Sequence, residues 1–287
     1  MLFSQEIELG VLILVTFIYA IFDVFNKRNV PNAFAYFTIV VGVAVVLLFS
    51  RGFVLLITIA VAVIVGLLGY VFFRSGLLGG GDVLEFVFIA LVMPLQIEPF
   101  YSSNYQWNIP FILSVIIAAG YTAMIFIPVY YLGIKKSPKN VGGPNTKKLR
   151  SGLLFFSAYL IFIIVMELTY GISLLGVALI LLLALASAIV IVYEQRVYFS
   201  MVDFIYPSKL EDGDMIATNL MDKKDIAYFK KRTAFGRLAS KKLISDIKNV
   251  RKKLPVYRDS VPFSLFIFLG VIISLLFGNL VLAIIGI

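Results

Sequence analysis

The chain has 287 residues, 61% of them hydrophobic, with a formal net charge of +9 and neither cysteine nor histidine. That apolar content, with a mean hydropathy of +1.01, lies far above the roughly 45 to 50% of a soluble domain and points to a polytopic membrane protein. The two missing residue types exclude a disulfide framework, a thiolate zinc site, a Ser/His or Cys/His nucleophile and an imidazole base. Serines inside the apolar stretches, Ser114, Ser157, Ser173 and Ser187, have no lysine beside them for a Ser/Lys dyad. Carboxylates are left to carry any chemistry, with no metal and no cofactor expected.

Eight stretches approach the ~20 apolar residues that a membrane span needs: 7–24, 33–50, 53–73, 83–97, 109–133, 152–169, 171–193 and 262–286. The first has no basic region ahead of Val11–Phe22 and no small-residue cleavage site behind it, so it reads as a retained span and not a secretory signal. Basic residues collect in the first, third, fifth and seventh connections, which hold 24 of the 25 Lys and Arg, Arg51 being the exception. Acids Glu6, Glu8, Glu98 and Glu167 fall on the other side. Because cytoplasmic loops are enriched in Lys and Arg, the odd connections are expected inside and both termini outside. The expected fold is an all-α polytopic membrane helical bundle of about eight transmembrane helices, with a basic cytoplasmic segment before the last.

Residues 1–193 would form spans one to seven, 194–261 the basic segment and 262–287 the last helix. The fifth connection, Lys135 to Arg150 with Gly142-Gly143-Pro144-Asn145, reads as a basic loop. The segment 194–261 carries fifteen Lys and Arg, a turn at Glu211-Asp212-Gly213-Asp214, and a lysine-rich amphipathic stretch from Asp222 to Lys253. Leu238, Leu243, Ile244 and Ile247 mark the apolar face of that stretch at roughly helical spacing. Such a segment suits the anionic inner leaflet of the lipid bilayer, with substrate docking as a second role. No nucleic-acid partner is expected, since the positive charge already serves topology.

Two acids stand where the charge pattern puts one and the same membrane face: Asp23, ending the first apolar stretch, and Asp82, opening the fourth. An ionisable group at the bilayer is by default a candidate for function. Asp82 follows Gly79-Gly80-Gly81, and glycines at 79 and 81 can take positive φ and let a peptide pass close to the backbone. Plainer readings exist: the glycines as an interhelical turn, Asp82 as a helix N-cap, Asp23 as an i, i+4 partner of Lys27. Two carboxyl groups a few ångströms apart can instead share one proton, the ionised one accepting a proton from water while the other polarises a peptide carbonyl.

Asp23 followed by Pro31-Asn32, with Gly79-Gly80-Gly81-Asp82 opening a later span, resembles the type IV prepilin peptidases, most closely the archaeal prepilin and prearchaellin peptidases. The likeness covers spans one to four and extends to Val261-Pro262-Phe263 at the last span. It implies a GxGD-type membrane aspartyl endopeptidase whose catalytic pair is Asp23 and Asp82. Gly79, Gly80, Gly81, Pro31 and Asn32 would shape the loops. The implied partners are pilin-like or archaellin-like precursors with a short basic leader ahead of an apolar helix, cut at the cytoplasmic face of the cell membrane. Acids Glu85, Glu211, Asp212 and Asp214 are the candidates to attract such a leader. Many members have a lysine two residues after the second aspartate; here Leu84 stands there, and Glu85 follows on the same helix face as Asp82, as a structural group or a sharer of the proton. The archaeal members usually have six spans, so the hairpin 152–193 reads as an insertion. With no cysteine for the zinc element of bacterial relatives, methyltransferase activity is not expected. Presenilins and signal peptide peptidases share GxGD but pair it with Tyr-Asp and Pro-Ala-Leu; here Phe22 precedes Asp23 and no Pro-Ala-Leu occurs. A transporter or an inactive scaffold using the same carboxylates is the alternative outside the proteases.

Overall fold

In lipid, a chain must satisfy its backbone hydrogen bonds within itself, and for a continuous apolar stretch the helix does this locally. A computed structural model describes residues 2–26, 30–75, 77–95, 110–134, 145–233, 235–257 and 262–280. Its helices are α1 (Leu2–Phe25), α2 (Asn32–Phe49), α3 (Phe53–Arg74), α4 (Gly80–Val92), α5 (Phe111–Val129), α6 (Thr146–Tyr170), α7 (Leu174–Ser200), α8 (Lys223–Lys230), α9 (Lys241–Ile247) and α10 (Phe263–Phe277). Each of the eight apolar stretches therefore contains a helix. Among the described residues six of them, α1, α2, α3, α5, α6 and α7, are long and apolar enough to cross a membrane, and the protein is membrane-embedded. The expectation of eight spans is met only to that extent, because α4 has 13 residues and α10 has 15, against about 20 for a full crossing.

Short α4 is the centre of the bundle. Val83, Glu85, Phe86 and Phe88 to Val92 are all buried on it, so almost every side of the helix is covered. It rests on α2 and α3 along one flank, while α1, α5 and α10 close the other through Leu12, Phe111, Ile112, Val115, Ile267 and Val271. Small residues set how near these helices come, as is usual where packing and not the hydrophobic effect holds helices together. A Cβ on Gly69 of α3 would lie 2.6 Å from Val83, and one on Gly270 of α10 would lie 2.7 Å from the Val115 carbonyl oxygen of α5.

Helices α6 and α7 form a hairpin at the edge of the bundle. Helix α7 docks on α5, where the Tyr121 hydroxyl donates to the Leu179 carbonyl at 2.9 Å, and α6 packs on α7 with Leu153, Leu154, Ile161 and Ile164 left exposed, as suits a lipid-facing helix. Helix α6 starts earlier than expected, at Thr146, because the Asn145 side chain caps it by accepting from the Lys147 N–H at 3.1 Å; Lys147, Lys148 and Arg150 are thus helical and not loop. Residues 135–144 of the expected basic loop lie outside the described residues. The boundary expected at 193 is a kink and not an end: Tyr193 is the one non-helical residue inside α7 (φ −105°, ψ 16°), and the helix runs on to Ser200.

The basic segment corrects one expectation. It is not one amphipathic helix but holds, within the all-α bundle architecture of the chain, two short helices and a two-stranded sheet. Strand β1 (Val202–Ile205) pairs antiparallel with β2 (Leu254–Tyr257), Val202 facing Tyr257. The lysine-rich stretch between is broken into α8 and α9, and Leu238 belongs to a bridge with Met215 instead of a helix face. Leu243 and Ile247 do point inward, joining Ile216, Phe229, Leu254 and Val256 in a separate core, while Ile244 packs at its margin. The turn expected at Glu211-Asp212-Gly213-Asp214 is present, with Gly213 at φ +94° and the Asp214 N–H donating to the Glu211 carbonyl at 3.1 Å. Since β1 directly follows α7 and β2 ends six residues before Phe263 opens α10, the antiparallel pair brings the unit's entry and exit side by side.

Candidate active site

The first four N–H groups of a helix have no partner within it. Helix α10 begins behind Pro262, and the N–H of Ser264, in its first turn, donates to Asp23 Oδ2 at 2.9 Å. The carboxylate of Asp23, on the last turn of α1, thereby faces the positive end of the α10 dipole. The same serine reaches the second acid: its hydroxyl donates to Asp82 Oδ1 at 3.3 Å. Asp82 Oδ2 in turn accepts the Gly79 N–H at 3.1 Å, closing the first turn of α4. Asp23 is 5% exposed and Asp82 is half-buried. The two acids, 59 positions apart in sequence, are thus held one on each side of a single residue.

A second layer lies beneath them. Glu85, one turn along α4 from Asp82, is completely buried, and neither carboxyl oxygen has a hydrogen-bond partner. It faces Asp82, Asp23 and the Ser264 hydroxyl, but that hydroxyl spends its one proton on Asp82. Tyr19, one turn before Asp23 on α1, is also fully buried and within electrostatic reach of Asp82 and Glu85. Its hydroxyl lies 2.8 Å from Thr38 Oγ1. Because Thr38 already donates to the Ala35 carbonyl, Tyr19 is the donor. Phe34 of α2 sits between Tyr19 and Phe22, with both ring centroids at 5.0 Å, and ties the first turn of α2 to the end of α1.

The glycines act through space and not through unusual backbone angles. Gly79 is extended at φ −73° and is the N-cap of α4; Gly80 and Gly81 are its first helical residues, and neither Gly79 nor Gly81 takes positive φ. A Cβ on Gly79 would lie 2.9 Å from Asp82 Oδ2, and one on Gly81 would lie 3.3 Å from Val30 Cβ. Asp82 itself is the third residue of α4 and not its N-cap. Pro31 precedes α2, with Asn32 as its exposed first residue, so the Pro-Asn connection meets the glycine run where Val30 covers Gly81. The i, i+4 partner considered for Asp23, Lys27, lies outside the described residues, as does Val261.

Of the acids considered for attracting a leader, Glu211, Asp212 and Asp214 sit on the surface turn of the polar unit, whereas burial removes Glu85 from that role. Among the described residues no group of three or more potential ligands is placed to hold a metal ion. Ser264 is not among the site residues expected from sequence, although it touches both aspartates; its signal in the sequence is its place directly after Pro262-Phe263 at the start of the last span. Comparison of the chain with family models, with curated proteins and with solved structures gives no match in any of the three.

Proposed function

We propose that this protein is a membrane aspartyl endopeptidase, of the GxGD type, that removes short basic leaders from pilin-like or archaellin-like precursors. The observation that carries the reading is the Asp23–Ser264–Asp82 arrangement: two carboxyl groups from different helices, bridged by one serine at helix ends. With neither histidine nor cysteine in the chain, such a pair is the chemistry available for peptide hydrolysis. One carboxylate takes a proton from water as its oxygen adds to the scissile carbonyl carbon, and the protonated carboxyl polarises that carbonyl oxygen. The carbon–nitrogen bond then breaks as a proton passes to the leaving amine. The pair works as a unit, and neither role belongs to one residue alone.

In this reading α4 and α10 complete an eight-span topology with both termini outside, and the acids lie at the cytoplasmic face. Retention of a basic leader on that side, with its apolar helix in the bilayer, delivers the scissile bond to the level of Asp23 and Asp82. The non-enzymatic alternative, in which the carboxyl groups hold a proton or cation for transport, is favoured by one observation, the unpartnered burial of Glu85. Conversion of a co-expressed precursor separates the two. Membranes carrying the protein are expected to shorten a basic-leader precursor, and membranes with Asp82→Asn at equal protein level are not. Undiminished conversion by Asp82→Asn overturns the peptidase.

A further inference from the structure

The lysine-rich stretch does not meet lipid through a helix face, because Phe229, Leu243 and Ile247 of α8 and α9 are turned into the polar unit's own core. The unit keeps its charge: residues 202–257 hold thirteen Lys and Arg against seven Asp and Glu. Three large apolar side chains remain exposed in it among the described residues, Phe204 at 48%, Tyr206 at 44% and Tyr228 at 40%. The ring of Tyr228, on α8, carries the Arg232 guanidinium at 4.4 Å from its centroid. The other two lie together, four and six positions past Ser200, where the membrane-spanning helix α7 ends. Phe204 stacks on Phe199 of the last turn of α7, with ring centroids 6.4 Å apart and planes at 22°. Lys253, one position before β2, holds its Nζ 5.5 Å from the Tyr206 ring centroid. Side chains alternate along a strand, so Ile205 packs on the unit's core while Phe204 points away from it; Asp203, the one acid of β1, falls on the Ile205 side.

We propose that this aromatic edge, Phe204 and Tyr206 with Lys253, seats the polar unit on the anionic phospholipid headgroups of the leaflet at which α7 ends. The stack on Phe199 keeps the edge level with the end of a spanning helix, so lipid is the surface it meets. Headgroups suit such a set of side chains: aromatic rings settle at the membrane–water boundary, and a lysine lays its hydrocarbon stem along them with its ammonium among the phosphates. The unit's surplus of positive charge is drawn to the same anionic surface. An amphipathic-helix contact would instead have put α8 and α9 against the lipid. Because β2 leads within six residues to Phe263, a unit held in this way also holds the chain at the start of α10. The seating does not depend on what Asp23 and Asp82 catalyse.

Tryptophan fluorescence of the full-length protein in lipid vesicles tests the seating, since the chain has one tryptophan, Trp107, to replace. In a Trp107→Phe background, Phe204→Trp or Tyr206→Trp reports from the proposed contact and Tyr228→Trp from α8. The vesicles mix phosphatidylcholine with phosphatidylglycerol, with and without bromine on acyl carbons near the headgroup. Brominated vesicles are expected to quench the emission at 204 and 206 and to leave that at 228 unchanged. The quenching should weaken in vesicles of phosphatidylcholine alone, and in the mixed vesicles when Lys253→Glu is added. Should Phe204→Trp fail to accumulate, Tyr206→Trp decides. Emission at 204 and 206 that bromine leaves untouched overturns the proposal, as does quenching at 228 in their place. Quenching of the same depth in phosphatidylcholine alone overturns the anionic headgroup as the partner. Precursor cleavage plays no part in the readout, so the peptidase reading stands or falls separately.

Discussion

The backbone N–H of Ser264 donates to the carboxylate of Asp23, 241 positions earlier in the chain, at 2.9 Å. Helix α1 packs along α10, with Phe17 against Phe268 as well, and this hydrogen bond is available because a helix start leaves its N–H groups free to bind an anion. The serine side chain then adds Asp82 to the same centre. Losing the Ser264 hydroxyl should therefore matter more for the chemistry than for the fold. Ser264→Ala keeps the N–H on Asp23 but removes a hydrogen bond to a carboxylate, a loss of about 1.5–3 kcal/mol. Precursor conversion is expected to slow by about ten- to a hundredfold. Ser264→Thr, which keeps a hydroxyl, should recover most of the rate. Wild-type conversion by Ser264→Ala would show that the bridge does not position the pair.

Two neighbouring glycines give opposite expectations. A methyl group at Gly79 would meet Asp82 Oδ2 at 2.9 Å, while one at Gly80 would meet only a ring carbon of Phe73 at 3.6 Å. Gly79→Ala must push the Asp82 carboxylate off its present acceptor position, although its own φ of −73° suits alanine. Gly80→Ala fits, and alanine in a helix is better than glycine by about 1 kcal/mol. We expect conversion to fall at least about tenfold in Gly79→Ala, equivalent to about 1.4 kcal/mol, and to stay near wild type in Gly80→Ala. Equal rates in the two variants would contradict the placement of Asp82.

Helix α10 carries Ser264, so its seat on α5 should control the site from a distance. A Cβ on Gly270 would lie 2.7 Å from the Val115 carbonyl oxygen and 2.9 Å from the Ala119 nitrogen, backbone atoms that cannot turn away. Gly270→Ala should force the helices apart at a cost of about 1–3 kcal/mol. Thermal unfolding in detergent should register a lower midpoint, together with slower conversion. An unchanged midpoint would mean that α5 and α10 are not packed as described.

The polar unit should weaken independently of the bundle. Phe229 is fully buried and stacked on Phe235 at 5.0 Å within a core that shares no side chain with the helices around α4. Phe229→Ala should cost about 3–5 kcal/mol of that unit's stability. Trypsin, given the exposed Lys and Arg of 223–253, should then cut the unit faster while α1 to α5 stay intact. Resistance equal to wild type would contradict a separate core.

The sequence made the bundle and its two aspartates readable for simple reasons. Long apolar stretches in lipid have little choice but the helix, and an acid at the end of one stands out against carbon. Other features had no such contrast. Ser264 looks like any serine at the start of an apolar helix, because its role lies in the direction of its N–H, which depends on where α10 comes to rest. Glu85 near a helix start reads equally as an acid that attracts a leader, a structural group or a sharer of the proton, until α4 turns out to be covered on nearly all sides. The glycines suggested positive φ, whereas their use is to leave room for Asp82 and Val30. The sheet was hidden because β1 and β2 have four residues each and pair across nearly fifty intervening positions. Lysines spread evenly over 222–253 masked the break between α8 and α9.

Joint action of Asp23 and Asp82 is tested most directly by comparing precursor conversion in Asp23→Asn, Asp82→Asn and the doubly substituted protein, all at matched protein level. Groups that act as a unit are far from additive. Each single variant is expected to fall by about a hundredfold or more, to the same floor as the double. Substantial conversion by either single variant, or losses that multiply in the double, would contradict a shared catalytic pair.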